Sequence, residues 1–204
     1  MIHALGRCAS CYNLGVSVAD ALIASPVHAL PPEKQLIGAG IYAIYSVGAF
    51  PAYKTISVRN RGEKFEVPIY VGKAVPAGAR KGGVALDVPV GTVLYNRLKE
   101  HADTIRVAPN LKLNDFFCRY LVVDDIWIPL GESLLIERFK PVWNRIVDGF
   151  GNHDPGKGRY NQQRSAWDTI HPGRSWAGKC QPYARTKKQI IAAIDNVLAT
   201  DSEQ

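Results

Sequence analysis

Two short runs rich in β-forming residues constrain this chain more than any other feature. Residues 39–47 and 65–72 are crowded with isoleucine, valine, tyrosine and phenylalanine, side chains that fit a pleated, half-buried surface. Gly40-Ile41-Tyr42 opens the first run and Tyr70-Val71-Gly72 closes the second. Arg59-Asn60-Arg61-Gly62 between them is turn-like, so the spacing predicts an antiparallel pair with a phenol on each of two neighbouring strands. A third strand is expected over 118–123, where Cys118 reads as a core thiol.

Helical periodicity surrounds these strands. Leu14, Val18, Leu22 and Ile23 predict a helix over 12–25, stopped by Pro26 and extended by Pro31-Pro32. A second helix is expected over 92–102 with Thr92 as its N-cap, and a third over 131–139, ended by Pro141. A last helix, 188–198, carries Ile190, Ile191, Ile194, Val197 and Leu198 on one side and is expected to dock on the core. Residues 73–91 are dense in glycine, alanine and proline and read as a long exposed loop bearing Arg80 and Lys81. The fold class is α+β in a single domain. It comprises an N-terminal arm (1–38), a core (39–145), and a basic extension with a C-terminal helix (146–204).

With 204 residues, 47% of them hydrophobic, the chain can bury one ordinary core. Its formal charge of +7 and pI near 9.3 favour a polyanionic partner, nucleic acid first and an anionic membrane second. Residues 149–188 hold eight lysines and arginines against two aspartates, so a net +6 is concentrated there. No apolar stretch reaches the roughly 18 to 20 residues of a membrane span, and the start lacks a basic head with an unbroken apolar core. The expected location is therefore the cytosol. Of the four cysteines only Cys8 and Cys11 form a Cys-x-x-Cys pair, with no second pair to close a zinc site. They read as reduced, incidental thiols, with a metal or redox role left open.

Several polar residues fall into a chemical order. Arg97 and His101 are four apart, so on a helix they project from one face. A guanidinium there can grip a phosphate oxygen, and an imidazole can take or relay a proton. Leu135, Ile136 and Phe139 follow Glu132 on the inward face of its helix, whereas Glu137 is rotated about 140° away. A carboxylate bordering a core needs a partner or a metal, and hard oxygen suits magnesium. Hydrolysis of a phosphodiester needs an activated water, a cation on the phosphoryl oxygens and a stabilised leaving oxygen. A phenol acting as base also needs a cationic or metal-rich setting to lower its pKa.

Gly40-Ile41-Tyr42, Tyr70-Val71-Gly72, Arg97 with His101, Glu132 nine residues before Pro141, and Asn144 three after it together resemble the GIY-YIG nuclease domain over 39–145. The resemblance implies a small sheet centred on three antiparallel strands flanked by helices. It also implies that Glu132 holds one divalent metal, Mg2+ or Mn2+. Tyr42 would activate water with His101 assisting, Arg97 would bind the scissile phosphate, Tyr70 would position it, and Asn144 would support the site. The Gly149–Gly156 and Trp167–Arg174 segments, with the Ser17–Leu22 arm, are similar to the type II restriction branch that cleaves CCGCGG, the SacII specificity.

That branch implies a bacterial enzyme on double-stranded DNA, two protomers on one palindrome, and a cognate DNA methyltransferase in the host. Guanine edges are read best by arginine and lysine, so Lys73, Arg80, Lys81, Lys157, Arg159, Arg164, Arg174 and Lys179 are the expected DNA-binding residues. A repair or mobile-element endonuclease, and a catalytically silent DNA-binding protein, are the competing readings.

Overall fold

A computed structural model describes residues 9–76 and 91–200, with side chains from residue 16 onward. Four antiparallel strands form one sheet in the order β1-β4-β2-β3: β1 His28–Ala29, β2 Gly40–Ser46, β3 Tyr70–Ala74 and β4 Phe116–Val122. Every residue of the central β2 is buried. Because successive side chains point to opposite faces, β2 builds two cores at once. Tyr42 and Ile44 join Leu94, Leu98, Ala102 and Ile105 from α3 (Val93–Arg106) and Trp143 from α5 (Val142–Arg145). Ile41, Ala43 and Tyr45 join Ala19 and Leu22 from α1 (Ala9–Ala24) and Ile128 and Leu135 from α4 (Ile128–Phe139). The result is a sheet between two helical layers, the α+β architecture expected.

The connection between the tyrosine strands differs from the expected turn. It contains a helix, α2 (Lys54–Asn60), and the strand anticipated over 65–72 starts only at Tyr70 and runs to Ala74, two residues into the expected loop. Asn60 is the physical reason. Its amide donates to the Ser46 and Val67 carbonyls and accepts from the Val67 N–H, so a side chain fastens this segment in place of a strand ladder. Arg59 and Asn60 end the helix, and the turn falls at Gly62 and Glu63, both with positive φ.

Other boundaries shift modestly. Thr92 stands at the N-cap of α3 but makes no side-chain cap bond. Helix α4 starts at Ile128, three residues before the expected start, and stops at Lys140, whose left-handed φ of 44° precedes Pro141. The last helix, α7 (Lys187–Thr200), buries Ile190 and Ile194 in the larger core.

The basic extension is built into that same core. Phe150, with Ala166, Trp167 and Ile170 of α6 (Ala166–Ile170), packs against Trp143 and α3. Aromatic side chains of this kind each bury about 150–250 Å², so the tail contributes to stability as well as charge. Among the described residues, no helix is long and apolar enough to cross a membrane.

His171 sits in this core with Nε2 2.8 Å from Tyr53 Oη and Nδ1 3.1 Å from Asn110 Oδ1. Burial, with a smaller contribution from Lys187, drives its pKa down to about 3. An unfolded histidine titrates near 6.5, so between those values the unfolded chain binds a proton that the folded one refuses. The stability is intact above pH about 6.5 and falls on acidification toward pH about 3, by up to about 1.4 kcal/mol per pH unit for this group. Denaturant unfolding at pH 7 and pH 5 should show that loss, and His171→Gln should lessen it.

Candidate active site

The register of β2 and β3 sets the two phenols. Tyr42 stands opposite Gly72 and Ile44 opposite Tyr70, which puts both tyrosines on one face with ring centroids 6.3 Å apart. Gly72 is needed because a Cβ there would lie 2.5 Å from Tyr42 Oη and 2.9 Å from Tyr70 Cε1. Gly72→Ala should therefore destabilise the fold by about 1–3 kcal/mol through overpacking. Denaturant unfolding would measure this, and an unchanged midpoint would contradict the crowding. Gly40 is required for a different reason: a Cβ would meet the Leu121 carbonyl oxygen at 2.0 Å.

Helix α3 delivers Arg97 and His101 to the same face. His101 Nε2 lies 2.6 Å from Tyr42 Oη, and its ring lies 5.3 Å from that of Tyr70. Both Tyr42 and His101 are buried. Burial first, then the neighbouring Tyr70, raises the Tyr42 pKa well above its ordinary value, and Arg97 only partly offsets this. Burial also lowers His101 well below its ordinary value, with Arg97 adding to the effect. The expected cationic lowering of the phenol is therefore outweighed by desolvation. In the resting protein the 2.6 Å contact joins a neutral phenol to a neutral imidazole.

Arg97 occupies the rim, its side chain 22% exposed. Its Nη2 donates to the Gly151 carbonyl at 2.8 Å and its Nη1 to Glu100 at 2.9 Å, and His153 Nε2 is 2.7 Å from Nη1. Glu132 reaches the site from α4 on the other layer, close enough for its charge to raise both tyrosine pKa values further. Its carboxylate is 18% exposed and lies 2.6 Å from Lys73 Nζ. Among the described residues no group of three or more histidine, cysteine, aspartate or glutamate side chains could hold a metal. Glu132 offers one hard carboxylate, the kind of ligand a divalent ion takes alongside water and substrate oxygens. Asn144 fastens the backbone of β3 next to Tyr70: it accepts from the Val71 N–H and donates to the Val71 carbonyl, each at 2.8 Å.

The expected DNA-binding residues are placed differently from one another. Lys157, Arg159 and Lys179 are exposed, with Lys179 Nζ 5.2 Å from the Tyr160 ring. Lys73 is paired with Glu132, and Arg164 is half-buried and donates to the Cys180 carbonyl. Arg80 and Lys81 lie outside the described residues, as does Cys8, and the Cys11 side chain is not described. Arg174 departs from expectation. It is buried, ion-paired with Asp168 at 2.6 Å, and bonded to the carbonyls of Gly149, Phe150 and Asn152. Its charge is consumed inside the protein rather than offered to DNA.

Three neighbours of the site were not among the expected site residues, although they lie in the Gly149–Gly156 segment that carries part of the resemblance. Phe150 stacks on His101 at 4.4 Å and 15°, Gly151 accepts from Arg97, and His153 lies beside it. Nothing in their spacing links them to α3, because the contact is made by tertiary structure.

Fold and residue order together define the class: this is a GIY-YIG nuclease. Residues 34–198 match the family described as the Eco29kI GIY-YIG domain, and the chain belongs to that family of restriction endonucleases, whose substrate is DNA. No curated protein matches the sequence.

Proposed function

We propose that this chain is a type II restriction endonuclease that hydrolyses double-stranded DNA at a GC-rich palindrome, CCGCGG, with Mg2+ or Mn2+. The observation that carries the mechanism is the 2.6 Å contact between Tyr42 Oη and His101 Nε2 beside Arg97 and Tyr70. A phenol with a raised pKa is a poor base alone. Coupled to a neutral imidazole it becomes a relay: Tyr42 accepts a proton from water as its own proton passes to His101. In this order no isolated phenolate forms, and the imidazolium that forms instead, which burial and Arg97 disfavour in the DNA-free site, is offset by the negative phosphate that the substrate brings. Tyr42 is buried, so the attacking water must enter with the substrate.

Arg97 supplies the cation for a non-bridging phosphate oxygen and Tyr70 a hydrogen bond that orients it. Glu132 would hold the metal, in exchange for Lys73, and the bound ion would stabilise the charge developing on the phosphate and leaving oxygens. Lys73 is then free to meet phosphate. Lys157, Arg159 and Lys179 are the exposed cations available to the duplex. A palindrome calls for two protomers, each cutting one strand. Such an enzyme works in the bacterial cytoplasm beside a methyltransferase that protects host sites.

The test is digestion of unmethylated plasmid carrying one CCGCGG site, with magnesium, beside a plasmid lacking it. Cutting confined to the site supports the whole reading. Cutting elsewhere keeps the nuclease and removes the specificity, whereas duplex binding without cutting overturns the catalytic reading.

A further inference from the structure

Arg174 is the most heavily committed side chain in the extension, and nothing in the mechanism above uses it. Its Nε binds Asp168 at 2.6 Å, Nη1 donates to the Phe150 and Asn152 carbonyls at 3.2 and 2.9 Å, and Nη2 donates to the Gly149 carbonyl at 2.9 Å. The guanidinium also lies 4.8 Å from the Trp167 ring and 4.7 Å from that of Trp176. Asp168 is in turn fixed by Ser165 Oγ, which donates to its carboxylate at 2.7 Å and caps α6. Burying such a pair is costly unless its hydrogen bonds are satisfied, and here three of them go to one short backbone segment, 149–152.

That segment is the wall of the catalytic centre. Gly151 gives its carbonyl to Arg97 and packs so closely that a Cβ would lie 2.9 Å from Arg97 Nη2 and 3.0 Å from Tyr70 Oη. Phe150 stacks flat on His101. A planar fork that holds the carbonyls on either side of Gly151 therefore fixes both the hydrogen bond to Arg97 and the ring against His101. We propose that Arg174 is a positioning residue of the active centre, locking 149–152 so that Gly151 and Phe150 hold Arg97 and His101 in register with Tyr42. The inference rests on the nuclease reading above.

The test compares wild type with R174K, R174M and D168N, each checked for folding by circular dichroism. Two quantities are followed: kcat against KM on a cleavable duplex, and the titration of His101 by imidazole NMR in the DNA-free protein. Tyr42, Tyr70 and Arg97 surround His101, with His153 and Arg174 acting on it from further away. A loosened wall admits water to the ring, so its pKa should rise toward the ordinary value in R174K and D168N, which keep a cation at position 174; in R174M the rise also includes the loss of that cation. In the variants kcat should fall on the order of 10²-fold with KM little changed, as expected when a reacting group is misplaced by about 1 Å. R174K should retain part of the rate, because it restores the charge without the fork.

Wild-type kcat in folded variants overturns the proposal, as does a loss of duplex affinity that accounts for the whole loss of activity. Failure of even R174K to fold would make Arg174 a residue of the fold alone and also overturns it. If wild type itself cuts nothing, the nuclease reading fails, and the His101 titration decides the inference alone: an unshifted ring sinks it.

Discussion

Tyr42→Phe should cut its duplex some 10²–10⁴-fold more slowly than wild type, the usual effect of losing a positioned acid-base group. The substitution removes one oxygen and leaves the ring in its socket beside Gly72. Two consequences are separable. The relay between water and His101 is broken, which single-turnover cleavage reads directly. His101 Nε2, buried and deprived of its partner at 2.6 Å, is left unsatisfied, and that costs about 1–3 kcal/mol of stability. Duplex affinity should be unchanged, because Tyr42 has no exposed surface. A variant that cleaves at the wild-type rate would remove the phenol from the proton path.

Glu132→Gln should lose cleavage by on the order of 10³-fold, since a bound cation is worth several kcal/mol of charge stabilisation and about 1.4 kcal/mol corresponds to tenfold. Binding should survive. The amide keeps the shape of the side chain but cancels the negative charge that now faces Lys73 at 2.6 Å, so the rim becomes more positive and specific duplex should be held as tightly or more so. The measurement is an electrophoretic shift with the cognate duplex, paired with a digestion time course in magnesium. Cutting at the wild-type rate would exclude Glu132 from the site, and parallel loss of binding would make it a structural residue.

How much of this was legible in the sequence depended on whether the signal was local. The strands around Tyr42 and Tyr70 declared themselves through β-branched and aromatic content. Arg97 and His101 were paired by helical spacing alone. Helix α2 was invisible because Thr55, Ile56 and Val58 are poor helix formers, and Asn60 organises the following segment through tertiary hydrogen bonds. Arg174 was misread for a related reason. In a tail rich in lysine and arginine, a cation aimed at phosphate and a cation surrounded by backbone carbonyls have the same sequence signature. The raised pKa of Tyr42 was equally hidden, because desolvation depends on what packs around the ring.

The small α5 carries a consequence for how copies of this protein can meet. Strand β3 is one border of the sheet, and an open border invites another chain to extend it. Asn144 supplies Val71 with both the acceptor and the donor that an incoming strand would offer, so the border is sealed at its second residue by a single amide. Self-association by sheet extension is thereby discouraged beside the phenols, and any pairing of protomers on DNA is directed to other surfaces.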